Sequence, residues 1–206
     1  MKSAKEYKNI VFDMGGVLVD YIPDNATWHF TDDPGIVREI HNVLFFSQEW
    51  LALDMGSITD EEAIARILPR LSCDRVREIA KNTFEHWHEY NNVEREGVAE
   101  IIRALKERGQ RVYILSNASR RLPGTYQNVV PAPEMYDGAF FSGEVLALKP
   151  QPIIYQMFFD RFGLNPAECL FIDDSNANVE ASIRCGMDAW CFRTGDSADL
   201  AAFLEV

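Results

Sequence analysis

Beyond Val93, short apolar runs alternate with helical patterns, and this alternation limits the fold more than any other feature. Residues 112–115, 139–141, 170–172 and 189–192 read as strands. The helical patterns between them end on glycines: Gly109 after Val98, Ile101, Ile102 and Leu105, Gly163 after residues 152–162, and Gly186 after residues 176–185. A terminal helix follows the last strand. Strand–helix repeats of this kind imply a mostly parallel sheet, right-handed crossovers and a ligand site beyond the carboxyl ends of the strands. An earlier run, Ile10-Val11-Phe12, supplies a further strand buried on both faces. It ends in Asp13 and then Gly15-Gly16, where the backbone can turn tightly and approach a ligand.

Between Tyr21 and about Asn92 the pattern is helical with little strand signal. Pro34 can begin a helix whose apolar face carries Ile36, Val37, Ile40, Val43 and Leu44. Ser47 and Gly56 frame a short helix bearing Trp50, Leu51 and Leu53. Thr59-Asp60-Glu61-Glu62 has the form of a capping box, and a longer helix is expected from about Cys73 to Tyr90. The chain thus divides into a core of residues 1–21 and 92–206 and a helical insertion of residues 22–91.

Net charge bounds the partners. At −12 over 206 residues, the chain is poorly suited to nucleic acid, which needs clustered Lys and Arg. One local cation can still dominate a pocket for a small anion. No apolar run is long enough to span a bilayer, and the first residues lack a secretory h-region. A cytoplasmic protein with no membrane or nucleic-acid partner, monomeric or weakly homodimeric, is expected. The four cysteines have no C-x-x-C spacing and read as reduced thiols.

Three strand tips deliver polar groups: Asp13, Ser116-Asn117 and Asp173-Asp174. Lys149 follows a fourth strand, with Lys149-Pro150 as the expected helix start. A doubly wound sheet brings these remote residues to one edge. Three carboxylates close together repel and raise one another's pKa values. A magnesium ion and one lysine would supply the three compensating charges, giving an oxygen-ligand site ready to accept a phosphate dianion.

Phe-Asp-Met-Gly-Gly-Val-Leu, Leu-Ser-Asn, Leu-Lys-Pro and Phe-Ile-Asp-Asp-Ser-Asn-Ala-Asn resemble, in order, the four motifs of the haloacid dehalogenase superfamily. The finer pattern, including Leu53-Asp-Met-Gly-Ser-Ile-Thr-Asp-Glu-Glu-Ala, resembles its bacterial alpha-D-glucose-1-phosphate phosphatase branch. The resemblance implies an α/β fold with a Rossmann-like three-layer core and an inserted helical cap. It also implies a magnesium-dependent phosphatase for small phosphate monoesters. Asp13 would be the nucleophile, carrying an aspartyl-phosphate. Ser116 and the Asn117 backbone N–H would hold phosphoryl oxygens, and Lys149 would neutralise charge. Asp13, the Gly15 carbonyl and Asp174 would bind metal, with Asp173 a direct or outer partner.

The chain departs from the pattern at Gly15, where most superfamily phosphatases carry the Asp that serves as general acid and base. Such help is typically worth ~10²–10⁴ in rate. Either the substrate has an acidic leaving group, as an anomeric sugar phosphate does, or Asp20, Asp24 or a cap residue supplies the proton. A 2-haloacid dehalogenase also lacks that second Asp but does not need the Asp173-Asp174 pair. A non-catalytic binding protein on the same scaffold is the reading from another class. His86-Trp87-His88 has the wrong spacing to share a helix face as a metal site. Arg120 and Arg121 default to surface charges, with a phosphate or sugar contact as the alternative. Phe45, Phe46, Trp50, Phe84 and Trp87 read as cap packing, some of them able to line a cleft. No G-x-S-x-G elbow or nucleotide-binding glycine loop occurs.

Overall fold

The computed structural model describes residues 2–206. The chain runs through β1 (Asn9–Phe12) and β2 (Val19–Tyr21) into five helices. These are α1 (Asn25–Phe30), α2 (Pro34–Ile40), α3 (Gln48–Met55), α4 (Asp60–Ile67) and α5 (Asp74–Tyr90), after which β3 (Asn92–Glu94) returns. It continues with α6 (Val98–Glu107), β4 (Arg111–Ser116), β5 (Gly138–Phe141), α7 (Pro152–Phe162) and β6 (Cys169–Asp173). The last elements are α8 (Asn176–Arg184), β7 (Asp188–Cys191) and α9 (Ser197–Leu204).

Five strands form one parallel sheet in the order β5-β4-β1-β6-β7. Period-two alternation sends Ile10 and Phe12 to one face and Val11 to the other. On the first face they join Val112, Ile114, Leu170 and Ile172 beneath α6 and α9. On the second, Val11, Tyr113, Leu115 and Phe171 pack against Ile154, Tyr155 and Phe158 of α7 and Ala181 of α8. This is a three-layer α/β/α, Rossmann-like architecture. The chain leaves β1 for β4 and leaves β6 for β7, in opposite directions. The sheet's topological switch point therefore lies between β1 and β6, where a doubly wound fold opens a crevice for ligands.

The helices α1–α5 stand between β2 and β3, which pair antiparallel as a separate two-stranded ladder. Asn91 ties the entry and exit together, since its side chain accepts from the Ala26 N–H at 2.8 Å and donates to the Pro23 carbonyl at 2.9 Å. The expected caps form. Ser47 Oγ accepts from the Trp50 N–H at 3.0 Å, and Thr59 and Glu62 exchange the two bonds of a capping box. Gly56 ends α3 at φ +73°.

Three local features differ from the sequence reading. The helix α1 was not anticipated, because Asn25–Phe30 has six residues, no apolar period and an exposed Trp28. The pattern begun in α2 loosens into a π-helical turn at His41–Phe45 rather than continuing as regular helix. Lys149-Pro150 does not open α7, which starts at Pro152; the Lys149-Pro150 peptide is cis. All four cysteines are free thiols. Among the described residues no helix is long and apolar enough to cross a membrane.

Candidate active site

Asp13 lies one residue past the β1 ladder, and its N–H still donates to the Ile172 carbonyl at 2.8 Å. The strand register therefore sets its position against β6. Its Oδ1 accepts from the Met14 N–H at 2.7 Å and from Lys149 Nζ at 2.9 Å. Gly16 turns the chain with φ +76°, and a Cβ there would meet Asp174 Oδ2 at 2.3 Å. That glycine lets the loop after β1 lie against the loop after β6.

Carboxylate oxygens of Asp13, Asp173 and Asp174 lie within 4.8 Å of one another, at the switch point. Asp173 is fully buried and heavily bonded. It accepts from Lys149 Nζ at 2.7 Å, the Ser175 N–H at 2.8 Å, and Asn178 Nδ2 at 3.0 and 3.1 Å. Asp174 points outward at the same edge. Burial pushes Asp13 up to about 7; Lys149 opposes that shift, while Asp173 and Asp174 add to it. Burial, then Asp173, likewise raises Asp174. For Lys149, burial alone would lower the pKa, but Asp13 and Asp173 outweigh it and hold the ammonium raised. One ammonium facing three carboxylates leaves two negative charges uncompensated. The hard oxygen donors and this residual charge fit a divalent cation, whose binding would reverse the upward shift of Asp13.

Ser116, the last residue of β4, is buried and faces the same cavity as Asp13 and Lys149. The Asn117 side chain grips the Lys149 backbone from both sides. Its Oδ1 accepts from the Lys149 N–H at 2.8 Å, and its Nδ2 donates to the Lys149 carbonyl at 2.9 Å. The structure thus brings all the expected site residues together: Asp13, Gly15, Ser116, Asn117, Lys149 and Asp174 line one cavity of about 650 Å³, and Asp173 stands behind it.

The far wall of that cavity comes from β2 and the helices, through Asp20, Tyr21, Trp50, Asp54 and Trp87. Of the five aromatics expected to pack or line a cleft, Trp50 and Trp87 line it, in edge contact at 5.1 Å between ring centroids. Phe45 and Phe84 are buried, while Phe46 is exposed. Neither arginine lines the cavity; Arg120 is exposed, as its default reading expected, and both bond to backbone carbonyls. Arg120 donates to the carbonyls of Gly143 and Gly56, both at 2.9 Å, and so joins the sheet side to the end of α3. Arg121 donates to the carbonyls of Phe84 and Glu85 and pairs with Asp60, which ties it to α4 and α5.

A family profile described as haloacid dehalogenase-like hydrolase matches residues 7–186. The chain belongs to that family. It is a haloacid dehalogenase-like hydrolase. The D-ribitol-5-phosphate phosphatase of Bacteroides thetaiotaomicron is 25% identical over 210 residues, covering 97% of each chain. Haloacetate dehalogenase H-2 of Moraxella sp. is 28% identical over 213 residues, covering 95% of this chain and 90% of its own. Among solved structures, a haloacid dehalogenase family enzyme from Bacteroides thetaiotaomicron, in complex with magnesium and inorganic phosphate, superposes with a TM-score of 0.71. It is 22% identical and covers 92% of this chain and 96% of its own.

Three residues of this haloacid dehalogenase-like site escaped sequence reasoning. Asn178, five positions after Asp173, orients that carboxylate. Helix geometry carried a faint signal, since Asn178 sits in the first turn of α8, within reach of the preceding strand tip. Asp54 lay in the Leu53–Ala63 stretch that carried the finer resemblance, but neither it nor Tyr21 could be placed at the cavity, because that depends on how the helices pack over the sheet.

Proposed function

We propose that this hydrolase is a magnesium-dependent phosphatase that cleaves small phosphorylated metabolites, sugar phosphates first and glucose-1-phosphate among them, through an aspartyl-phosphate on Asp13. The observation that carries the reading is the uncompensated pair of charges where Asp13, Asp173 and Asp174 meet Lys149. Asp13, Asp174 and the Gly15 carbonyl are the residues suited to hold magnesium. Asp173, already bonded to Lys149, Ser175 and Asn178, suits an outer, orienting position. When bound, the ion supplies Lewis-acid neutralisation at the nucleophile and the phosphoryl oxygens.

The chain's own residues then divide the remaining work. An Asp13 oxygen attacks phosphorus, with Lys149 balancing its charge. The Ser116 hydroxyl and the Asn117 backbone N–H receive phosphoryl oxygens as charge develops on them. Residues 22–91 act as a cap over a core of residues 1–21 and 92–206, excluding water and contacting the leaving group. That leaving group is uncharged. Among the described residues lining the cavity Lys149 is the sole cation, and Asp13 and Asp173 already engage it. Trp50, Trp87 and Tyr21 offer aromatic faces to the C–H surface of a sugar, with Asn92 among the polar groups. The same charge argument disfavours a haloacid substrate, whose carboxylate needs a cation of its own.

A turnover screen over sugar phosphates, with magnesium and with EDTA, tests the reading beside Asp13→Asn. Turnover that requires metal and is lost in Asp13→Asn is expected. Metal-independent turnover, or turnover surviving that substitution, defeats it.

A further inference from the structure

We infer that Asp54, carried on α3, is the general acid–base of this site and does the work of the carboxylate absent at Gly15. The inference rests on the phosphatase reading above and assigns it a residue.

Three carboxylates outside the metal cluster are candidates, and the structure separates them. Asp24 does not line the cavity and is held by His41 Nδ1 at 2.6 Å. Asp20 lines it, but its Oδ1 is paired with Arg95 at 2.5 Å and its side chain is half exposed to solvent. Asp54 lines the cavity beside Trp50 and Tyr21 and has no cationic partner among the described residues. Its one favourable polar influence is the Ser119 N–H, and burial pushes it up to about 8. A carboxyl at that value is mostly protonated at neutral pH and can take the proton back later in a cycle. Burying an acid without a partner is destabilising, so the arrangement has no evident value to stability and a clear one to proton transfer.

Its position is also held firmly. Ser142 Oγ donates to the Asp54 carbonyl at 2.5 Å, and Arg120 Nη2 donates to the Gly56 carbonyl at 2.9 Å. Gly56 is so close to the sheet side that a Cβ there would meet the Gly143 carbonyl oxygen at 2.0 Å. The end of α3 is therefore docked on the loop after β5, beside the Ser116–Asn117 tip. Asp13, Asp20, Lys149 and Asp174 are the other charged groups lining the cavity, and Tyr21 of β2 lines it too. Tyr21 also borders the space above Gly15, where a Cβ would meet its Cβ at 3.6 Å. Asp54 and Gly15 thus line one cavity, Asp54 from α3 and Gly15 from the loop after β1.

The steps balance. As the Asp13 Oδ–phosphorus bond forms, the bond from phosphorus to the ester oxygen breaks. Its electron pair goes to that oxygen, which takes the Asp54 proton and leaves as an alcohol. Water then attacks phosphorus and gives its proton to the Asp54 carboxylate, while the Asp13–phosphorus bond breaks and returns its electrons to Asp13. With an acid in place the substrate range extends to alkyl phosphates, whose alkoxides leave poorly without a proton.

The test compares an alkyl phosphate with p-nitrophenyl phosphate, whose phenolate leaves unprotonated, reading kcat/KM, which reports only through phosphorylation of Asp13. In Asp54→Asn, a fall of ~10²–10⁴ on the alkyl phosphate with under about fivefold on the aryl phosphate is expected. Asp54→Glu should recover part of the loss, and quenched Asp54→Asn should accumulate phosphorylated chain by mass spectrometry. In the wild type, kcat/KM for the alkyl phosphate should decline above about pH 8 while the aryl phosphate keeps its rate. Equal losses on both substrates, no loss, or a wild-type profile identical for the two overturns the role of Asp54 and leaves the phosphatase reading standing. A wild type inactive on both substrates with magnesium overturns that reading, and Asp54 with it.

Discussion

At the scale of single residues, the site depends on small groups that admit close approach. Gly16 is the sharpest case. Its φ of +76° lies in the left-handed region, and its missing Cβ leaves room for Asp174 Oδ2. Gly16→Ala adds strain in the backbone and drives the Asp174 carboxylate aside. Magnesium affinity should fall by ~10–100-fold, the usual penalty for disturbing a ligand's surroundings, as read by calorimetric titration. Unchanged affinity would show that Asp174 has room to bind metal from elsewhere. Asn117 works differently, since its side chain holds the Lys149 backbone from both sides. The same residue type at Asn178 orients Asp173. Asn117 serves two backbone groups and Asn178 both oxygens of one carboxylate, and the buried lysine and carboxylate meet at 2.7 Å.

Among the elements, α3 links the helical layer to the sheet. Its ends are set locally, by Ser47 at the N-cap and Gly56 at the C-cap. What places it is the meeting of Gly56 with Gly143, strengthened by Arg120 and Ser142. The Gly143 oxygen is backbone and cannot swing away, so Gly56→Ala must shift the end of the helix. A loss of about 1–3 kcal/mol is expected in urea unfolding. Turnover of an alkyl phosphate should fall by tenfold or more, because small displacements of a proton donor are costly. A variant with native stability and full turnover would mean that the docking of α3 does not position the site. The two arginines are instructive here. The sequence places both shortly after a phosphate-site motif, yet their guanidinium groups are spent on carbonyls of α3 and α5 and on Asp60 of α4.

For the whole molecule, a cation held by the carboxylate cluster would couple folding to metal. Three acids are collected at the switch point of a parallel sheet, where the unfolded chain would keep them apart. A cation that binds there and not to the unfolded state stabilises by about 2.7 kcal/mol at a hundredfold excess over its Kd. For a chain of this size that corresponds to a rise in Tm of roughly 5–10 °C. Magnesium should produce that rise in the wild type and little of it in Asp174→Asn, measured by scanning calorimetry. Equal shifts in both would place the ion elsewhere.

What the sequence determined by itself was everything encoded over short distances. Apolar runs of three or four residues, closing glycines and the capping box at Thr59 specify strands and helices from neighbouring residues, and their alternation dictates a parallel sheet. That sheet brings the tips carrying Asp13, Ser116 and Asp173 to one edge, so their meeting there was legible before any coordinates. The β2–β3 ladder and α1 were not, being three to six residues long and half exposed, with no period to read. Only the tertiary structure decided which side chains face the cavity from above. Trp50 was separated from Phe45, and Asp54 from Asp20 and Asp24, by how α3 docks on the loop after β5. The physical reason is that a helix's sequence reports which of its faces is apolar, whereas the polar group it presents to a distant site depends on contacts made by residues almost a hundred positions away, at Ser142 and Gly143.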